Sequence, residues 1–285
     1  MTADTLVRLE LVFDPVHDDL ITGLLYMHVV WGWEDMGIHD NQRCVVVHCD
    51  HPGQSTDLAA VLRAACPELS ITSSTVDNAD WTTAWKQFFT PIDIGKRFVV
   101  LPAWRSQEPC AAEPILIEPK MAFGTGHHHT TALCLHALAD LAEQGVLGRG
   151  QTFLDLGTGS GILAIAAAKL GLCGLGVDID PVAIDNAHEN IALNVVHNQV
   201  RLAVGSIYDV PTAPPYDCIV ANILANPLID MAPEICVRLA KPGILIVSGI
   251  LRDQAAKVSV AYTACGLPEP HIKNAHDWAA LIFRS

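Results

Sequence analysis

Residues 153–161 read Phe-Leu-Asp-Leu-Gly-Thr-Gly-Ser-Gly, a short apolar run followed by a glycine at every second position. Phe153 and Leu154 predict a buried strand, and the apolar run ILAIAAAKL directly after the glycines predicts a helix. A second apolar run, LGLGV, ends in Asp178. A strand, a glycine loop, a helix and a second strand ending in an acid form a βαβ unit that can bind a nucleoside.

The glycine spacing argues against a dinucleotide. A dinucleotide fingerprint would need its third glycine at position 162, which is isoleucine here. Asp155 adds a negative charge that would repel a pyrophosphate and would suit a cofactor with a cationic amino group. S-adenosylmethionine has such a group, free ribose hydroxyls and no phosphate, and Asp178 is placed to accept hydrogen bonds from those hydroxyls. We therefore expect cofactor contacts from four residues of this unit: Asp155, Gly157, Gly159 and Asp178.

A second candidate site lies in residues 217–227, Asp-Cys-Ile-Val-Ala-Asn-Ile-Leu-Ala-Asn-Pro. Asn222 falls at the carboxyl end of a predicted strand, where open α/β sheets bind ligands. Its side-chain oxygen, with the backbone oxygens of Ile223 and Leu224, could accept hydrogen bonds from an incoming N–H group. Enzymes that methylate planar amides or adenine have a Pro-Pro-aromatic run here, so Ile-Leu-Ala favours an aliphatic amine. The alternative is a turn asparagine that caps the next helix.

The loop at 121–131 contains two glycines and three consecutive histidines. Adjacent side chains point in different directions, so we expect no metal at 127–129. Thr130 or Thr131 is predicted to begin a helix whose exposed N–H groups face the carboxylate of the cofactor. Residues 44–51 also include cysteines and histidines, but a half-buried strand edge is favoured there over a zinc site.

From about Phe98 to the end, apolar strands alternate with helices, including one predicted helix over 227–240 and a last strand, WAALIF. This alternation predicts an α/β fold with a doubly wound, parallel, Rossmann-like sheet. A β-α-β-α-β pattern near the N-terminus, with strands at 7–13, 43–48 and 69–72 and helices at 18–31 and 55–66, suggests a small ferredoxin-like α/β domain. Aromatic residues between them fall at helical spacing. The expected parts are a substrate-recognition domain at 1–79, a linker helix at 80–96 and a cofactor-binding domain at 97–285.

The composition restricts the partners and the compartment. The chain has 17 basic and 31 acidic residues, a formal net charge of −14. Such a charge disfavours direct nucleic-acid binding and attracts a basic protein, although it could serve solubility alone. Nine cysteines without a CxxC pair indicate a reducing compartment. With no signal peptide and no apolar stretch long enough for a membrane span, we expect a cytoplasmic protein, and we expect a monomer.

With these motifs in view, the chain resembles the ribosomal protein L11 methyltransferase family (PrmA-type). The resemblance runs from about Asp80 to the C-terminus and includes DWTTAWKQFFTPIDIGKRFVVLPAW, MAFGTG-x-H-x-TT, DLGTGSGILAIAA, VDIDPVAIDNAHENIALN, VANILANPL and VSGIL. The chain departs from the family pattern in three places. His127-His-His replaces the common Thr-His-Pro, Lys120 replaces a loop glycine, and Thr158 replaces a common cysteine.

The resemblance implies a class I methyltransferase domain that binds S-adenosylmethionine, with cofactor contacts at Thr131, Gly157, Asp178 and Asn222. The implied reaction is methylation of lysine side chains and the N-terminal amine of one basic protein of the large ribosomal subunit. Asn222 is then the expected catalytic residue, and the expected substrate-orienting residues are Ile223, Leu224 and His128. The alternatives are a methyltransferase for another protein, a small amine or RNA, a cofactor-binding module without catalysis, and a nicotinamide dehydrogenase.

Overall fold

A computed structural model describes residues 5–29, 33–39, 41–49, 52–77, 90–118 and 128–285. The chain divides into two compact units, Met1–Phe89 and Thr90–Ser285. The predicted linker helix over 80–96 lies mostly outside the described residues, and its described end, 90–96, contains a short strand and part of a turn rather than a helix. The assignment of a recognition domain, a linker and a cofactor-binding domain stays a prediction.

The described elements of the first unit follow the order of a ferredoxin-like fold. They are β1 (Thr5–Phe13), α1 (Asp18–His28), β2 (Trp33–His39), β3 (Gln42–Cys49), α2 (Pro52–Ala65) and β4 (Ser70–Asp77). The strands lie in the order β2-β3-β1-β4, and every neighbouring pair is antiparallel. A βαββαβ chain with this strand order is ferredoxin-like, which confirms the expected small α/β domain.

The sequence pattern does not predict β2. This strand reads WEDMGIH, with two acids and a glycine, and among the described strands it pairs only with β3. An edge strand with one side unpaired needs no regular apolar alternation, so the usual signal is missing. The neighbouring helix α1 is also shorter than the predicted range 18–31, because it ends at His28 and Val29 already has extended backbone angles.

The second unit begins with a three-stranded sheet formed by β5 (Ile92–Ile94), β6 (Phe98–Pro102) and β7 (Glu113–Ile117). The remaining elements are α3 (His129–Glu143), β8 (Thr152–Leu156), α4 (Ile162–Lys169), β9 (Cys173–Asp178), α5 (Pro181–Leu193), β10 (Val200–Val204), β11 (Tyr216–Asn222), α6 (Ala225–Asp230), α7 (Ala232–Arg238), β12 (Leu239–Leu251), α8 (Ala255–Ala264), β13 (His271–Ala275) and β14 (Trp278–Arg284). Among the described helices, none combines the length and apolar character needed to cross a bilayer.

Seven strands form the large sheet in the order β10-β9-β8-β11-β12-β14-β13. The first five are parallel, whereas β14 runs antiparallel to β12 and β13 runs antiparallel to β14. The chain moves outward from β8 to β10 and then returns to β11 on the other side of β8. The carboxyl ends of β8 and β11 therefore flank the topological switch point, where such sheets bind ligands.

This topology confirms the predicted doubly wound α/β fold and corrects it in three places. The antiparallel β13–β14 hairpin replaces an all-parallel arrangement, and β13 was not predicted. The predicted helix over 227–240 is two short helices, α6 and α7. Pro233 lies in the first turn of α7, where it is tolerated, whereas inside one continuous helix it would clash with the preceding turn.

Two apolar clusters cover the two faces of the large sheet. Successive strand residues face opposite sides, so Phe153 belongs to one cluster and Leu154 to the other. Asp155 consequently lies on the same face as Phe153, where α4 packs. The acid of the glycine loop thus enters an otherwise apolar layer.

Candidate active site

The loop after β8 depends on glycine backbone angles. The φ angles of Gly157, Gly159 and Gly161 are +73°, +53° and +81°, a region that other L-residues rarely adopt. A Cβ atom on Gly157 would lie 2.5 Å from Cγ2 of Ile223. The glycine loop therefore lies directly against the segment that follows Asn222.

Asp155 is hydrogen-bonded both to this loop and to the helix α4 that follows it. One carboxylate oxygen, Oδ2, accepts hydrogen bonds from Thr158 Oγ1 at 2.6 Å and from the backbone N–H of Ala164 at 3.0 Å. The side chain is buried, and Oδ1 has no hydrogen-bond partner among the described residues. Burial raises the pKa of this carboxyl from 3.8 to about 6, against the opposing effect of its two hydrogen bonds. Contact with a cofactor ammonium at Oδ1 stays a prediction.

The raised pKa predicts how Asp155 affects stability. Because the folded-state pKa of about 6 lies above the ordinary 3.8, this group contributes most below pH 4, and that contribution is lost as pH rises through 6. The difference corresponds to about 3 kcal/mol. In the absence of cofactor, D155N should therefore unfold at higher denaturant concentration than the natural chain at pH 8, and the gap should shrink towards pH 4. Denaturant titrations at both pH values test this, and a gap that does not change with pH would contradict it.

Asp178, the last residue of β9, holds the glycine loop through a hydrogen bond. Its Oδ2 accepts from the backbone N–H of Gly159 at 2.9 Å, and its Oδ1 accepts from that of Asp180 at 3.1 Å. Asp180 in turn caps α5 by accepting from the N–H of Val182, as its place before Pro181 predicts. Each oxygen of Asp178 retains a further lone pair, so the predicted contact with ribose hydroxyls remains compatible with this geometry.

Asn222 is the last residue of β11, at the edge of the sheet where Asp155 and Asp178 also lie. Its Nδ2 donates to Thr131 Oγ1 at 3.2 Å. Its Oδ1 is buried and has no hydrogen-bond partner among the described residues. A buried acceptor of this kind costs free energy unless it is paired, so it suits an N–H donor that arrives with a ligand.

The two residues after Asn222 are held by the neighbouring strand and helix. Ile223 donates its N–H to the Ser248 carbonyl at 3.1 Å, and a Cβ on Gly249 would lie 2.4 Å from the Ile223 carbonyl oxygen. The carbonyl of Leu224 accepts the N–H of Leu228 at 3.2 Å and so belongs to the first turn of α6. The use of both carbonyls by a substrate stays a prediction. Because the Leu224 oxygen already accepts the N–H of Leu228, a substrate N–H would have to bind its second lone pair.

The N-terminus of α3 supplies the remaining predicted residues. The helix begins at His129, and His128 caps it because its Nδ1 accepts the backbone N–H of Thr130 at 3.4 Å. The same Nδ1 lies 2.7 Å from Thr130 Oγ1. The His128 ring meets the ring of Trp278 edge to face at 4.7 Å between centroids, and burial followed by the charge of His129 lowers its pKa. His128 thus has a structural role that the sequence did not predict, whereas its substrate role stays a prediction. The residues at 121–127 lie outside the described part of the chain.

Most of the predicted site residues come together along one edge of the sheet. Asn222 contacts Thr131, Gly159 contacts Asp178, and Gly157 lies against Ile223. Sequence reasoning missed Gly249, which allows the 222–224 segment to lie close to β12. Its signal is weak, since a glycine near the end of a predicted strand is compatible with many bends.

The seven-stranded order, the switch point between β8 and β11, and an acidic glycine loop define a class I methyltransferase that uses S-adenosylmethionine. The model of the family ribosomal protein L11 methyltransferase (PrmA) matches residues 34–285. The chain belongs to this family.

Individual relatives agree with this assignment. A ribosomal protein L11 methyltransferase of Chloroflexus aurantiacus is 39% identical over 241 residues, which cover 75% of this chain and 71% of the relative. One from Alkaliphilus oremlandii is 34% identical over 267 residues, covering 88% of this chain and 83% of the relative. The crystal structure of a ribosomal protein L11 methylase from Lactobacillus delbrueckii subsp. bulgaricus superposes with a TM-score of 0.61 at 34% identity, covering 69% of this chain and all of that one.

Proposed function

We propose that this protein transfers methyl groups from S-adenosylmethionine to lysine side chains and the N-terminal amine of ribosomal protein L11. The observation that carries the amine assignment is the Oδ1 of Asn222 at the carboxyl end of β11, which is buried and has no partner in the described part of the chain. The family membership and the names of the relatives support the ribosomal substrate.

The residues of the glycine loop fit this cofactor. The Gly159 N–H is turned onto the Asp178 carboxylate, and Asp155 lies buried beside the loop, so the loop is unsuited to a phosphate. Asp155 Oδ1, which no described residue pairs, suits a cationic amino group, and Asp178 suits ribose hydroxyls. We assign cofactor binding to Thr131, Asp155, Gly157, Gly159, Asp178 and Asn222. Bound there, S-adenosylmethionine supplies an electrophilic methyl group.

Asn222 would act on the incoming amine by alignment. Because Nδ2 is engaged with Thr131, the acceptor Oδ1 is the atom left to receive an amine N–H. A hydrogen bond there would direct the nitrogen lone pair towards the methyl group, an effect of orientation rather than of proton transfer. Ile223, Leu224 and His128 are the proposed residues that orient the rest of the substrate chain.

The amine must be neutral before it reacts. For a lysine with an ordinary pKa of about 10.4, deprotonation at pH 7 costs about 4.6 kcal/mol, against about 1 to 1.4 kcal/mol for a terminal amine. Removal from water lowers the pKa of an amine. We therefore propose that entry into the partly buried site around Asn222 lowers the pKa of the amine and so reduces the cost of deprotonation. The proton is released to solvent.

The charge of the chain favours the same partner. A net charge of −14 attracts a basic protein and repels nucleic acid, so we propose that the protein contacts L11 rather than RNA. We propose a monomer that acts in the cytoplasm, away from membranes.

Transfer of labelled methyl groups tests the proposal. The protein is incubated with radiolabelled S-adenosylmethionine and either purified unmodified L11, other basic ribosomal proteins, free lysine or ribosomal RNA. We expect label in L11 alone, and mass spectrometry should place it on lysine side chains and the terminal amine. Label confined to another protein, to free lysine or to RNA would contradict the proposed substrate.

A further inference from the structure

Helix α5 and the residue after it carry three buried asparagines at intervals of one helical turn, Asn186, Asn190 and Asn194. Their exposed fractions are 4%, 0% and 8%. Residues four apart lie on the same face of a helix, so the three amides form one row. Buried amides of this kind are normally paired. Among the described residues Asn190 and Asn194 have partners, whereas neither amide atom of Asn186 has one.

Asn194 clamps the main chain of β7. Its Oδ1 accepts from the N–H of Leu116 at 2.9 Å, and its Nδ2 donates to the carbonyl of the same residue at 2.6 Å. The amide thus pairs with Leu116 in the way that a neighbouring strand would. None of these bonds involves the glycine loop.

Asn190 links two segments that lead into the candidate site. Its Oδ1 accepts from the N–H of Glu118 at 2.8 Å, two residues further along the chain than Leu116, and its Nδ2 donates to the carbonyl of Ser160 at 2.9 Å. The spacing of the two asparagines along the helix matches that of their partners along the chain, because four helical residues and two strand residues each span about 6 to 7 Å. One side chain therefore ties the exit of β7 to the glycine loop.

We propose that Asn190 is a positioning residue for cofactor binding, holding the glycine loop in place through the Ser160 carbonyl. Ser160 lies between Gly159, whose N–H bonds to Asp178, and Gly161, which caps α4. Loss of the Asn190 bond would remove one hydrogen bond from the Ser160 carbonyl and so weaken the support of the contact between Gly159 and Asp178. The inference rests on the proposed cofactor role of this loop and is independent of which substrate is methylated.

The variants N190A and N194A form a matched pair. N190A loses the bonds to Glu118 and Ser160, whereas N194A loses those to Leu116 and one to the Asn190 carbonyl. Calorimetric titration with S-adenosylmethionine, without any protein substrate, should show about fivefold to tenfold weaker binding for N190A and less than twofold for N194A. Thermal unfolding should show N194A at least as destabilised as N190A, and kcat of N190A at saturating cofactor should stay within about twofold of the natural value.

Equal weakening of cofactor binding in both variants, or natural affinity in N190A, would overturn the proposal. The titration contains no L11, so it measures cofactor binding even if L11 proves not to be the substrate. Conversely, natural cofactor affinity in N190A would not argue against L11 as the substrate.

A pH rescue keeps the test valid if N190A does not fold. In N190D a protonated carboxyl can donate to the Ser160 carbonyl, whereas an ionised carboxylate would repel it. Relative to the natural chain at each pH, cofactor affinity of N190D should rise about fivefold between pH 8 and pH 5.5, while N194D should show no such recovery. An affinity ratio for N190D that is independent of pH would contradict the proposed donation to Ser160.

Discussion

Replacing Asn222 with alanine is expected to lower kcat for methylation of L11 by about 100-fold or more, while the dissociation constant for S-adenosylmethionine changes by less than about threefold. The reason is that Oδ1 of Asn222 is proposed to be paired by the substrate amine, so its loss affects the alignment of the reacting nitrogen. Steady-state kinetics with purified L11 and calorimetric titration with cofactor alone measure the two quantities separately.

Asn226 provides the matched control for this prediction. It lies four residues further along, is exposed, and belongs to the first turn of α6. N226A should retain kcat within about twofold, because the removed amide faces solvent. Parallel losses of turnover and cofactor affinity in N222A would instead show that Asn222 acts through cofactor binding alone.

Replacing Gly249 with alanine is expected to reduce activity by more than about 100-fold and to destabilise the fold by several kcal/mol. The φ angle of Gly249 is +84°, and a Cβ there would lie 2.4 Å from the carbonyl oxygen of Ile223 and 2.8 Å from its carbonyl carbon. Backbone atoms cannot rotate away as a side chain can, so the whole 222–224 segment must shift. Denaturant unfolding and the methylation assay report the two effects.

The variant G266A is the control that distinguishes the effect of backbone strain from the effect of this clash. Its φ angle of +91° is as unfavourable for alanine as that of Gly249. Among the described residues, however, no heavy atom beyond Gly266 and its two chain neighbours lies within 4 Å of the point that a Cβ would occupy. G266A should therefore cost only about 1 to 2 kcal/mol and should leave kcat unchanged. If G249A and G266A behave alike, contact with Ile223 does not limit the position of the 222–224 segment.

The local parts of the fold and site could be predicted from the sequence. The glycine loop, the acid at the end of β9 and the asparagine at the end of β11 each lie within a few residues of a strong apolar strand, so periodicity places them at one edge of the sheet. The strands β2 and β13 could not be found this way. Both are edge strands whose exposed residues weaken the alternating pattern.

The contacts that shape the site are long-range, and here the sequence is uninformative without the structure. The Asn190 side chain reaches Ser160 across 30 residues, and the Asn222 side chain reaches Thr131 across 91. Hydrogen bonds between such distant positions depend on how helices pack on the sheet, which a periodic pattern does not specify. Asparagines at every fourth position are visible in the sequence, but the pattern alone is equally typical of an ordinary polar helix face.

The bracing of Ser248 has a consequence for the synthesis of the chain. The Ser248 carbonyl holds the N–H of Ile223, and the Ser248 hydroxyl donates to the carbonyl of Ala279 in β14 at 2.9 Å. A chain synthesised only as far as α8 therefore lacks β14, the strand that secures Ser248. It follows that the 222–224 segment gains its full support only when β14 has paired with β12.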